Sequence, residues 1–296
     1  MMRYRVTHTT RYKYRDAVTL CHNQARLTPS NEGRQKCRRH VISVDPTPTV
    51  IRERRDYFGN RVTYFGVESP HSELVVSAVS EVLTEAAPAQ LQLGAERPWE
   101  AVRDLIEAGE EPELRQVQQY LHDSSLVRPV PELTAFALQS FTPGRGAVDA
   151  ALDLMHRIFE TFKYDATATT ISTPLAQVWR QRRGVCQDFA HLAIASLRAI
   201  GLPAGYVSGY LETLPPPGQK RLVGSDASHA WFSLYLPDTG WMEFDPTNDQ
   251  MPTERYIVLA RGRDYADVAP LNGVIYGGGP HTMDVSVDVL DLDAPV

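Results

Sequence analysis

Residues 183–191 read Arg183-Gly184-Val185-Cys186-Gln187-Asp188-Phe189-Ala190-His191, and an almost wholly apolar run continues to Ile200; this stretch decides the fold. Gly201-Leu202-Pro203 closes it with a glycine just past the last turn and a proline beyond, so the spacing predicts a buried helix over 188–200 with Cys186 at its first turn. A thiol in that position faces unsatisfied backbone N–H groups and the positive end of the helix dipole, both of which favour thiolate over thiol. Downstream lie the two partners a thiolate nucleophile needs: His229 in Ser228-His229-Ala230-Trp231, and Asp245 in Trp241-Met242-Glu243-Phe244-Asp245-Pro246-Thr247-Asn248. The imidazole would hold the thiolate and later protonate the leaving amine, and the carboxylate would fix the ring's tautomer and orientation.

Strands are expected after the helix at 204–211, 229–236, 240–245 and 255–259, with the proline-rich loop Leu214-Pro215-Pro216-Pro217-Gly218 between the first two. Pro237-Asp238-Thr239-Gly240 reads as a hairpin turn. Two antiparallel strands joined there would set residue 229 opposite residue 245, with Cβ atoms about 5 Å apart.

Before the cysteine, apolar residues three or four apart predict helices over 113–121, 131–138 and 147–162, the last two separated by Thr142-Pro143-Gly144-Arg145-Gly146. From residue 2 to about 84 the period is two, as in Tyr4-Val6-His8 and Leu74-Val76-Ala78, punctuated by Asp45-Pro46, Phe58-Gly59-Asn60 and Ser69-Pro70-His71. The expected class is therefore α+β: an N-terminal antiparallel β-sandwich over 1–85, a linker over 86–110 where proline and alanine take over, and a catalytic unit over 111–296. The alternating run 281–290 is free to rejoin either sheet.

The 296 residues, 43 % of them hydrophobic, suffice for two moderate cores. No stretch approaches the roughly 20 apolar residues that would span a bilayer. Met1-Met2-Arg3-Tyr4-Arg5-Val6 lacks the apolar run of a secretory signal, and Cys21, Cys37 and Cys186 are too scattered for a disulfide framework, so a cytoplasmic protein is expected. A net charge of -6 argues against nucleic-acid binding. Residues 1–60 nonetheless carry 13 Lys and Arg against five Asp and Glu. Such an excess could attract an acidic ligand, but alternation with Tyr, Thr and Val favours charges on exposed sheet faces and edges.

The motifs resemble the transglutaminase-like superfamily of papain-type cysteine enzymes, in the bacterial form that carries a β-rich N-terminal region. The resemblance rests on Tyr164-Asp165, Thr173-Pro174, Gly184-Val185-Cys186-Gln187-Asp188-Phe189-Ala190, His229-Ala230-Trp231 and Trp241-Met242-Glu243-Phe244-Asp245-Pro246-Thr247, with Gly262-Arg263-Asp264-Tyr265-Ala266-Asp267-Val268-Ala269-Pro270 beyond. It implies a transglutaminase-like or papain-like core with the cysteine helix packed on an antiparallel sheet. It also implies Cys186 as nucleophile, His229 as general base and acid, and Asp245 as orienting carboxylate. The chemistry implied is attack on a carboxamide or peptide carbonyl through a thioester. The oxyanion would be held partly by the Cys186 N–H, with Gln177, Trp179 and Tyr164 as candidates for a second donor or substrate contact.

Other residues read more simply. Asp188 is a first-turn acid favoured by the helix dipole, and His191 a hydrogen-bonded core histidine. Trp231 and Trp241 are core residues by default, and Arg180, Arg182 and Arg183 solvated loop charges. Cys21 and Cys37 lack companions at metal spacing, so no metal site and no cofactor are expected. Tyr276-Gly277-Gly278-Gly279-Pro280 reads as a flexible turn rather than a phosphate loop. The leading function is a thiol-dependent hydrolase of amide or peptide bonds. Acyl transfer from protein glutamine to an amine stands as the alternative, and a non-catalytic scaffold as a third. The expected partners are a peptide or amide substrate and, through the β-rich region, a second copy or another protein; no membrane is expected.

Overall fold

A computed structural model describes residues 1–86, 97–213 and 228–294. The proline-rich loop 214–218 and most of the proline- and alanine-rich stretch after residue 86 lie outside them. The first five elements are strands: β1 (Met2–Ala25), β2 (Gln35–Asp45), β3 (Val50–Arg55), β4 (Arg61–Val67) and β5 (His71–Thr84). Helices then dominate, with α1 (Trp99–Ala108), α2 (Pro112–Val117) running into a 3₁₀ turn at Gln118–Leu121, α3 (Pro131–Ser140), α4 (Ala147–Thr161), the two-residue β6 (Lys163–Tyr164), α5 (Leu175–Gln181), the two-residue β7 (Arg183–Gly184) and α6 (Cys186–Arg198). The chain continues through β8 (Ala204–Leu211), β9 (Ser228–Leu236), β10 (Gly240–Phe244), β11 (Tyr256–Gly262), α7 (Tyr265–Val268), β12 (Leu271–Gly277) and β13 (His281–Asp291).

β1 organises the N-terminal sheet. Residues 2–13 pair with β5 on one side and residues 4–14 with β13 on the other. Beyond a register shift between Lys13 and Val18, the rest of the strand lies between β4 and β12. The expected sandwich is thus a single seven-stranded antiparallel sheet bent across β1. Its two arms bury Val18, Cys21, Phe65, Val67, Leu74 and Val76 between them. β12 and β13 run end to end along β1, and the glycine tract forms the bend: Gly277, Gly278 and Gly279 all have positive φ, a region closed to most side chains. The run 281–290 therefore joins the N-terminal sheet rather than the sheet that follows α6. Part of the basic excess is matched across neighbouring strands, as in Arg5–Glu81 and Arg61–Glu53.

The expected linker needs correction. Within it, α1 places Trp99, Val102 and Ile106 in the main core, on one helical face, and stops at Gly109 with φ 56°. Ten residues with one apolar face carry three side chains into the core, whatever their proline-rich approach suggests.

The second sheet runs β10-β9-β8-β11, with α6 packed on β8 and β9. On the face away from α6, Gly209 admits Trp231 against β8, since a Cβ there would meet the Ile257 carbonyl oxygen at 2.1 Å and the Trp231 ring at 2.6 Å. Its outer strand, β11, would present unpaired peptide groups at the edge, and two amide side chains of the N-terminal sheet cover them. Gln35 accepts from Val258 N at 2.7 Å and donates to Val258 O at 2.8 Å. Asn60 accepts from Arg261 N and donates to Arg261 O, both at 2.8 Å. Each amide reproduces the two bonds of a neighbouring strand, which satisfies the edge and fixes how the two units meet.

Gln35→Ala would leave the buried Val258 N–H without an acceptor. We expect a loss of about 1–3 kcal/mol in urea unfolding, with Gln35→Glu failing to restore it because a carboxylate cannot donate to the Val258 carbonyl.

Candidate active site

The loop before α6 is built by a buried carboxylate. β6 and β7 pair in parallel, Lys163 with Arg183 and Tyr164 with Gly184, and the chain then turns sharply into the helix. Asp188, 3 % exposed, reaches back to accept from Val185 N at 2.9 Å and from Thr169 Oγ1 at 2.6 Å. Burial outweighs those bonds and holds its carboxyl above the usual range. Gly184 makes room, since a Cβ there would lie 2.5 Å from Asp188 Oδ2. The helix begins at Cys186, two residues earlier than the apolar run suggests, which sets the thiol in the first turn. The Cys186 N–H has no acceptor among the described residues and is free to donate outward.

His229 opens β9, and Asp245 follows β10 directly. Gly240 faces Leu236 and Phe244 faces Phe232, so Asp245 continues the ladder opposite Trp231 rather than opposite His229. The register differs by two residues from the expected one because the turn centres on Asp238. The two side chains still share a face, as diagonal neighbours, and His229 Nε2 lies 2.7 Å from Asp245 Oδ2. With Nε2 engaged, Nδ1 is left for Cys186, which sits beside the ring as its second partner. Burial opposes charge on the ring, but the bond to Asp245 and the nearness of Cys186 outweigh it and raise the imidazole pKa to about 10.

Asp245 has no exposed surface and four donors. Besides His229, its Oδ2 accepts from Asn248 Nδ2 and from the Tyr256 hydroxyl, both at 2.7 Å, while Oδ1 accepts from Thr247 N at 2.9 Å. Burial works against the charge, and His229, Asn248 and Tyr256 together hold the carboxyl below its usual range. The Trp231 and Tyr256 rings flank the imidazole at 5.8 and 6.0 Å. Trp231, fully buried, is held in turn by Glu243 at 2.9 Å, which also binds Arg261 at 2.5 Å.

The remaining candidates separate. Tyr164, 55 % exposed, lies close enough to Cys186 for the thiol's charge to add to the effect of burial on its hydroxyl, both pushing the pKa up. Trp179 is committed elsewhere, in contact with Phe136 and Phe162 and capped by the Arg182 guanidinium 3.5 Å from its ring centre. Gln177 is half-buried on α5 and makes no side-chain hydrogen bond among the described residues. His191 lies buried, accepts from Tyr265 N at 3.2 Å, and burial lowers its pKa to about 4, so it is a neutral core residue. Asn248 and Tyr256 were not singled out from sequence. Asn248 stands at the end of a quoted motif, whereas Tyr256 reaches Asp245 only through the fold.

Comparison with known proteins agrees with this architecture. The Bacterial transglutaminase-like N-terminal region matches residues 4–83, and the Transglutaminase-like superfamily matches residues 135–246. An uncharacterized protein of Mycobacterium tuberculosis is 45 % identical over 302 residues, covering 98 % of this chain and 93 % of that protein. A Protein-glutamine gamma-glutamyltransferase of Pseudomonas aeruginosa is 31 % identical over 144 residues, 45 % of this chain and 22 % of that enzyme. The crystal structure of a candidate cysteine protease from Cytophaga hutchinsonii superposes with a TM-score of 0.78 at 22 % identity, covering 100 % of this chain and 92 % of that one, and shares the fold. The chain belongs to the transglutaminase-like superfamily, with a bacterial transglutaminase-like N-terminal region preceding the core. No helix among the described residues is long and apolar enough to cross a membrane.

The pair His229–Asp245 has a pH signature. A histidine raised from about 6.5 to about 10 adds stability that is complete below its unfolded pKa and lost as pH rises through 10. Asp245, held low, contributes down to the acid range. The difference in unfolding free energy between the wild type and Asp245→Asn should therefore be largest near pH 5–6 and shrink toward pH 10, measured by urea titration across that range.

Proposed function

We propose that the chain is a thiol-dependent hydrolase of amide or peptide bonds, in which Cys186 is the nucleophile, His229 the proton carrier and Asp245 the orienting carboxylate. The observation that carries this reading is the convergence of a helix-terminal thiol on a histidine already aligned by a buried aspartate. The sulfur attacks the carbonyl carbon, and the imidazolium passes its proton to the leaving amine as the C–N bond breaks. Water then attacks the thioester, His229 removes its proton, and the acid leaves with the thiol restored. The free Cys186 N–H supports a role in holding the oxyanion, and the nearness of Tyr164 makes it the favoured second contact among the three candidates. A cytoplasmic location belongs to the same proposal, supported by three cysteines that form no disulfide.

One observation favours a second reading. The local similarity to a protein-glutamine gamma-glutamyltransferase is consistent with an amine replacing water in the second step. The first half of the reaction would be the same, and the acceptor decides the product.

Iodoacetamide at near-neutral pH should label Cys186 well ahead of Cys21 and Cys37, whose thiols burial pushes up; equal labelling of all three would sink the proposal. Cys186→Ala should fold normally by circular dichroism and lose ~10³-fold or more of turnover on a peptide and amide library. A dansylated amine offered with a glutamine donor gives free acid and ammonia if water is the acceptor, and a fluorescent conjugate if the amine is.

A further inference from the structure

A cavity of about 460 Å³ opens at the far end of the β9–β10 hairpin. Three separate parts of the chain meet there: the β3–β4 connection with Tyr57 and Phe58, the α2 segment with Glu113 and Tyr120, and the hairpin with Tyr235 and Trp241. Tyr235 stands six residues along β9 from His229, roughly 20 Å at strand spacing, so the cavity is distinct from the cysteine site.

Its walls are mostly aromatic, and the rings pack on one another at steep angles. Trp241 meets Tyr120 at 4.7 Å with planes 67° apart, and Tyr235 at 5.4 Å and 68°. Phe58 meets Tyr120 at 6.2 Å and 57°, and Tyr57 at 5.2 Å and 86°. An electron-rich aromatic wall of this kind suits a positive charge. Phe58 already carries one such contact on the Arg263 guanidinium, 5.7 Å away and itself neutralised by Asp267. The single carboxylate on the wall is Glu113, which accepts from the Tyr235 hydroxyl and forms no ion pair among the described residues. No lysine or arginine lines the cavity among the described residues. Tyr57 is 77 % exposed, so one wall stands at the mouth. Burial and the hydrogen bond to Glu113 push the Tyr235 hydroxyl up to about 12, and burial does the same for Tyr120, so both rings stay neutral and electron-rich through the physiological range.

We infer that this cavity is a binding site for an alkylammonium group, held by the faces of Trp241, Tyr120 and Tyr57 and by the charge of Glu113. Such a group can come from a free small amine or from a lysine side chain on a peptide, and the chemistry of recognition is the same. The inference is independent of the cysteine chemistry.

The test is calorimetric titration of the full chain, as wild type and as Cys186→Ala, with tetramethylammonium, with Nα-acetyl-lysine methyl ester, and with 3,3-dimethylbutan-1-ol, a neutral alcohol whose tert-butyl group matches a trimethylammonium head in size. We expect saturable binding of at least one cation and binding of the alcohol weaker by about tenfold or more. Glu113→Gln and the exposed Tyr57→Ala should each weaken the cation severalfold without altering the far-ultraviolet spectrum, and Cys186→Ala should change nothing. Tighter binding of the lysine ester identifies a protein-borne ammonium as the source, and tighter binding of tetramethylammonium a small amine. Equal binding of alcohol and cation, cation binding unmoved by both wall variants, or no saturable binding of either cation would overturn the inference.

Discussion

A carboxylate with no exposed surface cannot stay ionised by itself, and much of the transglutaminase-like core is arranged so that Asp245 does. Its four donors come from three places: a strand (His229), the turn that follows the aspartate (Thr247 and Asn248), and the edge strand (Tyr256). Holding the charge therefore requires β9, β10 and β11 to be in register together. In return the buried charge fixes the imidazole's orientation and keeps its proton at neutral pH. The negative charge on one side of the ring is what readies the other side for a sulfur.

Asp188 does comparable work for the thiol without touching the chemistry. Its bonds to Val185 and Thr169 close the turn ahead of α6, and Gly184 is required because nothing larger fits beside that carboxylate. The two halves of the site are thus set by two buried acids, one bracing a helix terminus and one bracing a ring. Both are supported mainly by backbone and side-chain hydrogen bonds, with little dependence on exposed ion pairs.

The parts of this arrangement with a local pattern could be read from the sequence. Period and helix-stop signals gave α3, α4 and α6 to within a few residues, and the order of the three motifs pointed to Cys186, His229 and Asp245, which the fold brings together. The hairpin register was missed by two residues because four turn-forming residues, Pro237 to Gly240, allow more than one centre. α1 escaped because ten residues among prolines resemble a connector until a core is there to receive Trp99 and Ile106. β12 escaped because Gly273 and Gly277 interrupt its alternation. Tyr256, Gln35 and Asn60 leave no trace in spacing at all, since their partners are defined only by tertiary structure.

The pairing of β1 with β13 has a consequence for how the molecule is made. Tyr4 lies beside Asp291, so β1 acquires one of its flanks only after the residues between the two have been synthesised. Contacts of such long sequence separation form slowly, and until they form one edge of β1 is open to any extended chain nearby. The nascent protein must therefore wait, with its N-terminal sheet incomplete, while the helices and the second sheet are laid down between the two partners of a single β-ladder.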